Sequence, residues 1–249
     1  MIESDALGGA KTTIGGHVDA SLAVGEAQID PGLLLANADI CGIETVGCGG
    51  HGSSPRVCMD AGPVAAQALG NRQRGASRRV DALGPVVGTV GEMGAGSAHH
   101  VRPARARRGD TERTFAADSR APVRGAVAGS VENTAAAGVT AERRDRLGDP
   151  AVKYAHGSAT AALVAVAEAV LGPAAVVRRR PRMAGEDGAH DPKRVPAAFF
   201  CLGAAGPKWA HEPDGGIHHR VFFHRQEACL PDGVDILLRA DRGRLEASA

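Results

Sequence analysis

"ADICGIETVGCGGHGSSPRVCMD", residues 38–60, is the stretch on which the fold turns. Its first half alternates as a strand should, with Ile40, Ile43 and Val46 among small or polar residues. Its second half is a loop of glycines and serines that carries one imidazole, His51, and ends at Asp60, a suitable helix N-cap. Pro63 is tolerated in a first helical turn, so a helix is predicted over 61–80. It reads as a poor helix, because Gly70, Arg72, Arg74 and Gly75 fall where an apolar stripe is wanted.

Working outward, "GPVVGTVGEMG" (84–94) reads as a second strand and "ARARRGDTERTFA" (104–116) as a third. "SRAPVRGAVAGSVENTAAAGV" (119–139) is helical by its alanines and by the spacing of Val123, Val127 and Val131. "TAERRDRL" (140–147) makes a fourth, exposed strand. Strand, helix, strand, strand, helix, strand is the split βαβ, ferredoxin-like order, here over residues 36–148. Upstream, residues 22–37 read as a loop and a short extended segment closed by Pro31-Gly32. Downstream, "SATAALVAVAEAVLGP" (158–173) is an apolar helix with a Gly-Pro stop, and "VPAAFFCLGAAG" (195–206) suits a buried strand. A last helix from about Asp232 places Val234, Ile236, Leu237 and Leu238 on a core face. These outer pieces look like part of an α/β domain.

The composition sets bounds. Of the 249 residues, 43% are hydrophobic and 3% aromatic, so the core must come from Ala, Val and Leu, and marginal stability is expected. Net charge is +1, which supplies no global field for nucleic acid or anionic membrane. The basic runs "RPARARRG" (102–109) and "RRRPR" (178–182) lack aromatic stacking partners, and the first is read as the solvated face of a strand. The five cysteines, Cys41, Cys48, Cys58, Cys201 and Cys229, fit no familiar zinc spacing and are read as free thiols. No signal peptide is visible in "MIESDALGGAKTT", and no apolar run reaches membrane-span length, so a soluble, cytoplasmic protein is expected.

Several stretches, in order and in register, resemble the metal-dependent aminoacylase, hippurate hydrolase and carboxypeptidase G superfamily, in its N-acyl-amino-acid amidohydrolase branch. They are "MIESDALGGAKTTIGGHVDASLAVG", "GGHGSSP", "SRRVDALGPVVGTVGEMGAGSAHHVRP", "TERTF", "AVLGP", "MAGEDGAH" and "VPAAFFCLGA". The resemblance covers the C-terminal two thirds of that family. It implies an α/β architecture: a partial catalytic domain (1–35 and 149–249) with an inserted ferredoxin-like lid and dimerisation domain (36–148). It further implies a homodimer, a small N-acylated amino acid substrate, and a zinc or manganese centre whose metal-bridged hydroxide attacks the amide.

Residue by residue, His51 of "GGHGSSP" matches the lid histidine that reaches the twin's pocket and stabilises the developing oxyanion. On this reading the small residues around it leave room to approach substrate. Arg113 of "TERTF" matches the arginine that grips the substrate carboxylate. His100 of "AHHVRP" stands where the family has asparagine, and His99 beside it has a structural part as its alternative. Glu186 of "MAGEDGAH" matches an acidic position near the family's active site, although Gly188 replaces an aromatic there. His17 of "GGHVDAS" and His218 of "GIHHRVF" match metal ligands, with His219 as the alternative to His218. The family's Cys-Gly-His-Asp turn and its glutamate pair do not occur in these 249 residues. Impaired chemistry is therefore expected, the alternative being a non-catalytic dimerisation or binding module from a truncated or decayed gene.

Overall fold

The structure, a computed structural model, describes residues 5, 7–81, 83–132, 138–154, 156–209, 219 and 225–246, with side chains set aside at 74–79, 131–132 and 244–246. In chain order the elements are β1 (Thr13–Ala23), β2 (Ala27–Gln28), β3 (Gly32–Leu35), β4 (Asp39–Val46), β5 (Gly50–His51), α1 (Ala61–Arg79), β6 (Val86–Ala95) and β7 (Val101–Arg102). There follow β8 (Arg105–Thr114), α2 (Ala117–Glu132), β9 (Thr140–Arg146), β10 (Val152–Tyr154), α3 (Gly157–Leu171), β11 (Val176–Val177), β12 (Ala197–Ala205) and α4 (Leu230–Glu246). The chain divides into two compact units: one of residues 1–34, 152–181 and 188–249, the other of 35–151 and 182–187.

The second unit holds a four-stranded antiparallel sheet in the order β6-β8-β4-β9, with α1 and α2 packed on it. Asp60 caps α1 as expected, its Oδ1 accepting from Gly62 N–H at 3.0 Å. Along β4 the buried residues are Asp39, Cys41, Ile43 and Thr45, while Ile40 is exposed. Ile40, Ile43 and Val46 are three residues apart, and a period of two cannot put all three on one face. In α2, Val123 and Val127 are buried, as their spacing implied; residues 133–137 lie outside the described residues.

The misfit arginine of α1 has a place. The inward stripe is Ala61, Ala65, Ala68 and then Arg72, the four being buried, while Gly70 faces outward. Arg72 Nε lies 2.9 Å from Asp110 Oδ2, and Arg108 Nε lies 3.0 Å from the other oxygen of the same carboxylate. Arg72 Nη2 also donates to the Thr111 carbonyl at 3.4 Å. Gly88 on β6 makes the space, since a Cβ there would come within 2.6 Å of Arg72 Nη2. Thus β8 turns Arg108, Asp110 and Glu112 inward, and the basic run at 102–109 is only in part a solvated face. Its exposed members Arg105 and Arg107 pair with Glu44 instead. Burial raises the Glu112 carboxyl above its ordinary range, against the pull of Arg72 and Arg143.

The first unit carries a mixed sheet, β1-β12-β2-β11, in which β1 runs parallel to β12. β12 is buried at every position, as its unbroken apolar run required. Ile29, Leu163, Phe200, Leu202 and Ile236 form the main cluster, and Tyr154 stacks on Phe199 with ring centroids 5.7 Å apart. α3 ends at Gly172, at φ +94°, as the Gly-Pro stop predicted. α4 differs from its expected facing: Ile236 and Ala240 are buried, whereas Val234, Leu237 and Leu238 are 56, 41 and 52% exposed. At 3.6 residues per turn, the face through 236 and 240 leaves 234 and 238 on the far side and 237 on its flank. β1 is a strand that the residue pattern missed, although Val18, Ala20 and Leu22 alternate through it.

Candidate functional site

The His51 loop is built from the end of β4. Gly47 N–H donates to the Ala104 carbonyl at 2.7 Å, and Cys48 N–H donates to the Met59 carbonyl at 3.1 Å. β5 then pairs antiparallel with β7, His51 opposite Val101, and Gly52 N–H donates to the His100 carbonyl at 2.7 Å. Arg102 fastens this ribbon to α1, its Nε donating to Asp60 Oδ2 at 2.9 Å. Asp60 therefore serves both helix and ribbon.

At the tip, His51 is exposed. Its Nδ1 accepts from Ser53 N–H at 3.2 Å and lies 2.8 Å from Ser53 Oγ. An Nδ1 that accepts a backbone N–H assigns the neutral ring's proton to Nε2, which leaves Nε2–H as an outward donor. The His100 ring stands 5.9 Å away by centroids, at 50°. The ribbon therefore brings together two of the residues singled out in the sequence. His99 is an exposed turn residue next to them.

The small residues serve the loop's own packing. A Cβ on Gly49 would come within 3.0 Å of the Arg102 carbonyl, one on Gly50 within 2.8 Å of Cys58 Cβ, and one on Gly52 within 3.1 Å of the His100 carbonyl. Their smallness lets β5 sit against β7 and Cys58.

Arg113 stands elsewhere. It lies near the opposite end of β8, facing Val87 of β6. The segment 182–187 runs past it, so that a Cβ on Gly185 would be 3.3 Å from Arg113 Nη1, and Glu186 is the next residue. Asn37 braces this end, its Oδ1 accepting from Thr114 N–H at 2.7 Å. Asp39 adds a second brace, taking Arg120 Nε at 2.6 Å and Gly148 N–H at 3.0 Å. Sequence reasoning passed over Ser53, Asn37, Asp39 and Arg102, because their partners are distant in the chain or lie in irregular loop. Ser53, two residues after His51, was the one with a local signal.

From Arg105, the end nearer the His51 ribbon, to Arg113 is eight steps of strand, about 27 Å. His51 and Arg113 of one chain therefore do not meet on one ligand of amino-acid size.

His17 is exposed on β1, opposite Cys201 of β12, with Nδ1 2.6 Å from the Val18 carbonyl. His218 lies outside the described residues; its alternative, His219, is described at φ +68°. Among the described residues no three His, Cys, Asp or Glu side chains gather as a metal site requires, so the residues described do not fit the implied dinuclear centre. No described helix is long and apolar enough to cross a membrane.

No family model matches the chain. An N-acyl-L-amino acid amidohydrolase of Geobacillus stearothermophilus is 36% identical over 115 residues, which is 46% of this chain and 31% of the relative. An N-acetyldiaminopimelate deacetylase of Bacillus licheniformis is 29% identical over 214 residues, covering 85% of this chain and 54% of the relative. Among solved structures, a Bacillus subtilis protein described as a dinuclear metal binding peptidase of the M20 family shares the fold, with a TM-score of 0.65 at 23% identity. That match covers 98% of this chain and 60% of the solved one. The chain thus spans about three fifths or less of these relatives. In sequence the chain is similar to members of the amidohydrolase and aminoacylase superfamily, and it shares the fold of an M20 family structure.

Proposed function

We propose that this chain serves hydrolysis of the amide of an N-acyl amino acid or small peptide, as a homodimer in which the second unit is the lid and dimerisation domain. One observation carries the reading: Ser53 occupies His51 Nδ1, so the exposed Nε2–H is preset as a donor toward a developing oxyanion. His100, 5.9 Å away, supplies a neighbouring imidazole. Arg113 takes the substrate carboxylate through its planar fork, with Glu186 on the segment beside it. The separation of His51 from Arg113 supports a composite site, Arg113 of one protomer working with His51 of its twin. A divalent zinc or manganese ion, with His17 and His218 as the ligands matched in sequence, would supply the attacking hydroxide. The described residues do not complete such a site.

The test is complementation. His51→Ala should lower kcat for N-acetyl-methionine or hippurate, with zinc or manganese added, by about 10²–10³-fold. Arg113→Ala should mainly raise KM. At substrate concentrations well below the KM of Arg113→Ala, where both variants turn over little, mixing them and letting subunits exchange should restore about a quarter of wild-type activity, because half the dimers then hold one intact site of two. No restoration at all would refute the composite site.

A second reading, a non-catalytic dimerisation or binding module, is supported by the incomplete ligand set among the described residues. Wild-type protein that sediments as a dimer yet cleaves neither substrate with either metal would favour it.

A further inference from the structure

We infer that Cys48 and Cys58 form a redox couple, closing by a disulfide when a peroxide oxidises the exposed thiol. The inference stands apart from the hydrolytic reading. It rests on how the His51 loop folds back on itself.

Cys48 is exposed and Cys58 half-buried, and both are free thiols. Cys48 Sγ accepts the Met59 N–H at 2.9 Å. That nitrogen is bonded to the carbonyl carbon of Cys58, about 2.4 Å from its Cα, so Cys48 Sγ is no more than about 5.3 Å from the Cα of Cys58. A sulfur bridged to Cys58 stands about 3.5–4.5 Å from that Cα, so a rotamer change at Cys58 with a backbone shift of about 1 Å suffices. The Cys58 thiol is loosely held, 3.7 Å from the Ser54 and Pro55 carbonyls. It lies over Gly50, where an added Cβ would be 3.1 Å from its sulfur. Both cysteines thus flank the glycines that lead into His51.

Cys41 makes the contrast. It is 3% exposed, and burial pushes its thiol up to about 12. It is the wrong sulfur for this chemistry.

The chemistry balances in two steps. Hydrogen peroxide transfers one oxygen to Cys48, giving a sulfenic acid and water. The Cys58 sulfur then attacks the sulfenic sulfur, forming the S–S bond and releasing the oxygen as a second water. The two thiols are oxidised by two electrons and the peroxide is reduced by two. The bridge closes residues 48–58 and ties down the loop bearing His51.

Trypsin reads the result, because Arg56 lies between the two cysteines. Protein treated with peroxide, alkylated and digested without reductant should yield peptide 12–56 joined to peptide 57–72, parting on reduction. Fragment spectra should place the link at Cys48. Cys48→Ser and Cys58→Ser should each abolish it, and both residues are accessible enough for the variants to fold. The inference is overturned if the link maps to Cys41. It is equally overturned if Cys48 proceeds to sulfinic acid, or bridges two chains, while Cys58 remains alkylatable.

Discussion

Arg72 and Asp110 meet at 2.9 Å with side chains 2 and 0% exposed, and Arg108 closes on the same carboxylate at 3.0 Å. A buried pair of this kind contributes little net stability over an apolar replacement, yet it is costly to break on one side. Arg72→Ala should therefore destabilise the protein by about 3–5 kcal/mol in urea unfolding. Asp110→Asn should cost at least as much, since it leaves two guanidiniums facing a neutral amide.

Gly88 reports on the same pair from the opposite strand. Gly88→Ala should be destabilising by about 1–3 kcal/mol, because the added methyl meets the Arg72 guanidinium. In an Arg72→Ala background the cost should largely vanish. A double-mutant cycle measures the coupling, and simple additivity would show that Gly88 does not serve to seat Arg72.

Glu112 sets a pH dependence whose sign follows from burial. Its folded carboxyl titrates above the unfolded one, so the folded state holds the proton longer. The associated stability is present below the ordinary glutamate range and is lost as pH rises through the raised value. Relative to Glu112→Gln, the wild-type Tm should fall as pH climbs above about 4.5. Parallel curves for the two proteins would count against an ionised, buried Glu112.

Asp60 joins helix and ribbon. Asp60→Ala should remove the α1 cap and release Arg102, costing about 1–2 kcal/mol. Faster amide exchange at Gly50–His51 and Val101–Arg102 than in α3 would show the ribbon loosening locally.

Much of the second unit was legible because its signals are local. Asp60 announces α1, the valines of α2 keep helical spacing, and β4, β6, β8 and β9 lie close to their expected spans, whereas the short β5 and β7 were not foreseen. Arg72 was opaque for the opposite reason: its partner Asp110 is remote in sequence, and only packing shows that a charge at the end of an alanine stripe has a counter-ion. α4 misled because Val234, Leu237 and Leu238 are apolar yet exposed, and hydrophobicity alone does not say which side of a helix is covered. β1 was hidden by Gly15 and Gly16, which break its alternation. In the candidate site, His51 and His100 came from resemblance, and the structure added their proximity and the Ser53 lock. The glycines have a packing reason that the sequence did not show, since the atoms nearest them belong to Cys58 and to the segment 100–104.

The two flanks of the second unit's sheet are unequally guarded. β9 carries five charges in seven residues, TAERRDR, whereas β6, VVGTVGEMGA, has Glu92 as its one charge. Foreign strands are repelled at the first margin and find open backbone at the second. Concentrated solutions should therefore cloud by accretion along β6. A lysine at Val87, which is 40% exposed, is the smallest change that should keep them clear.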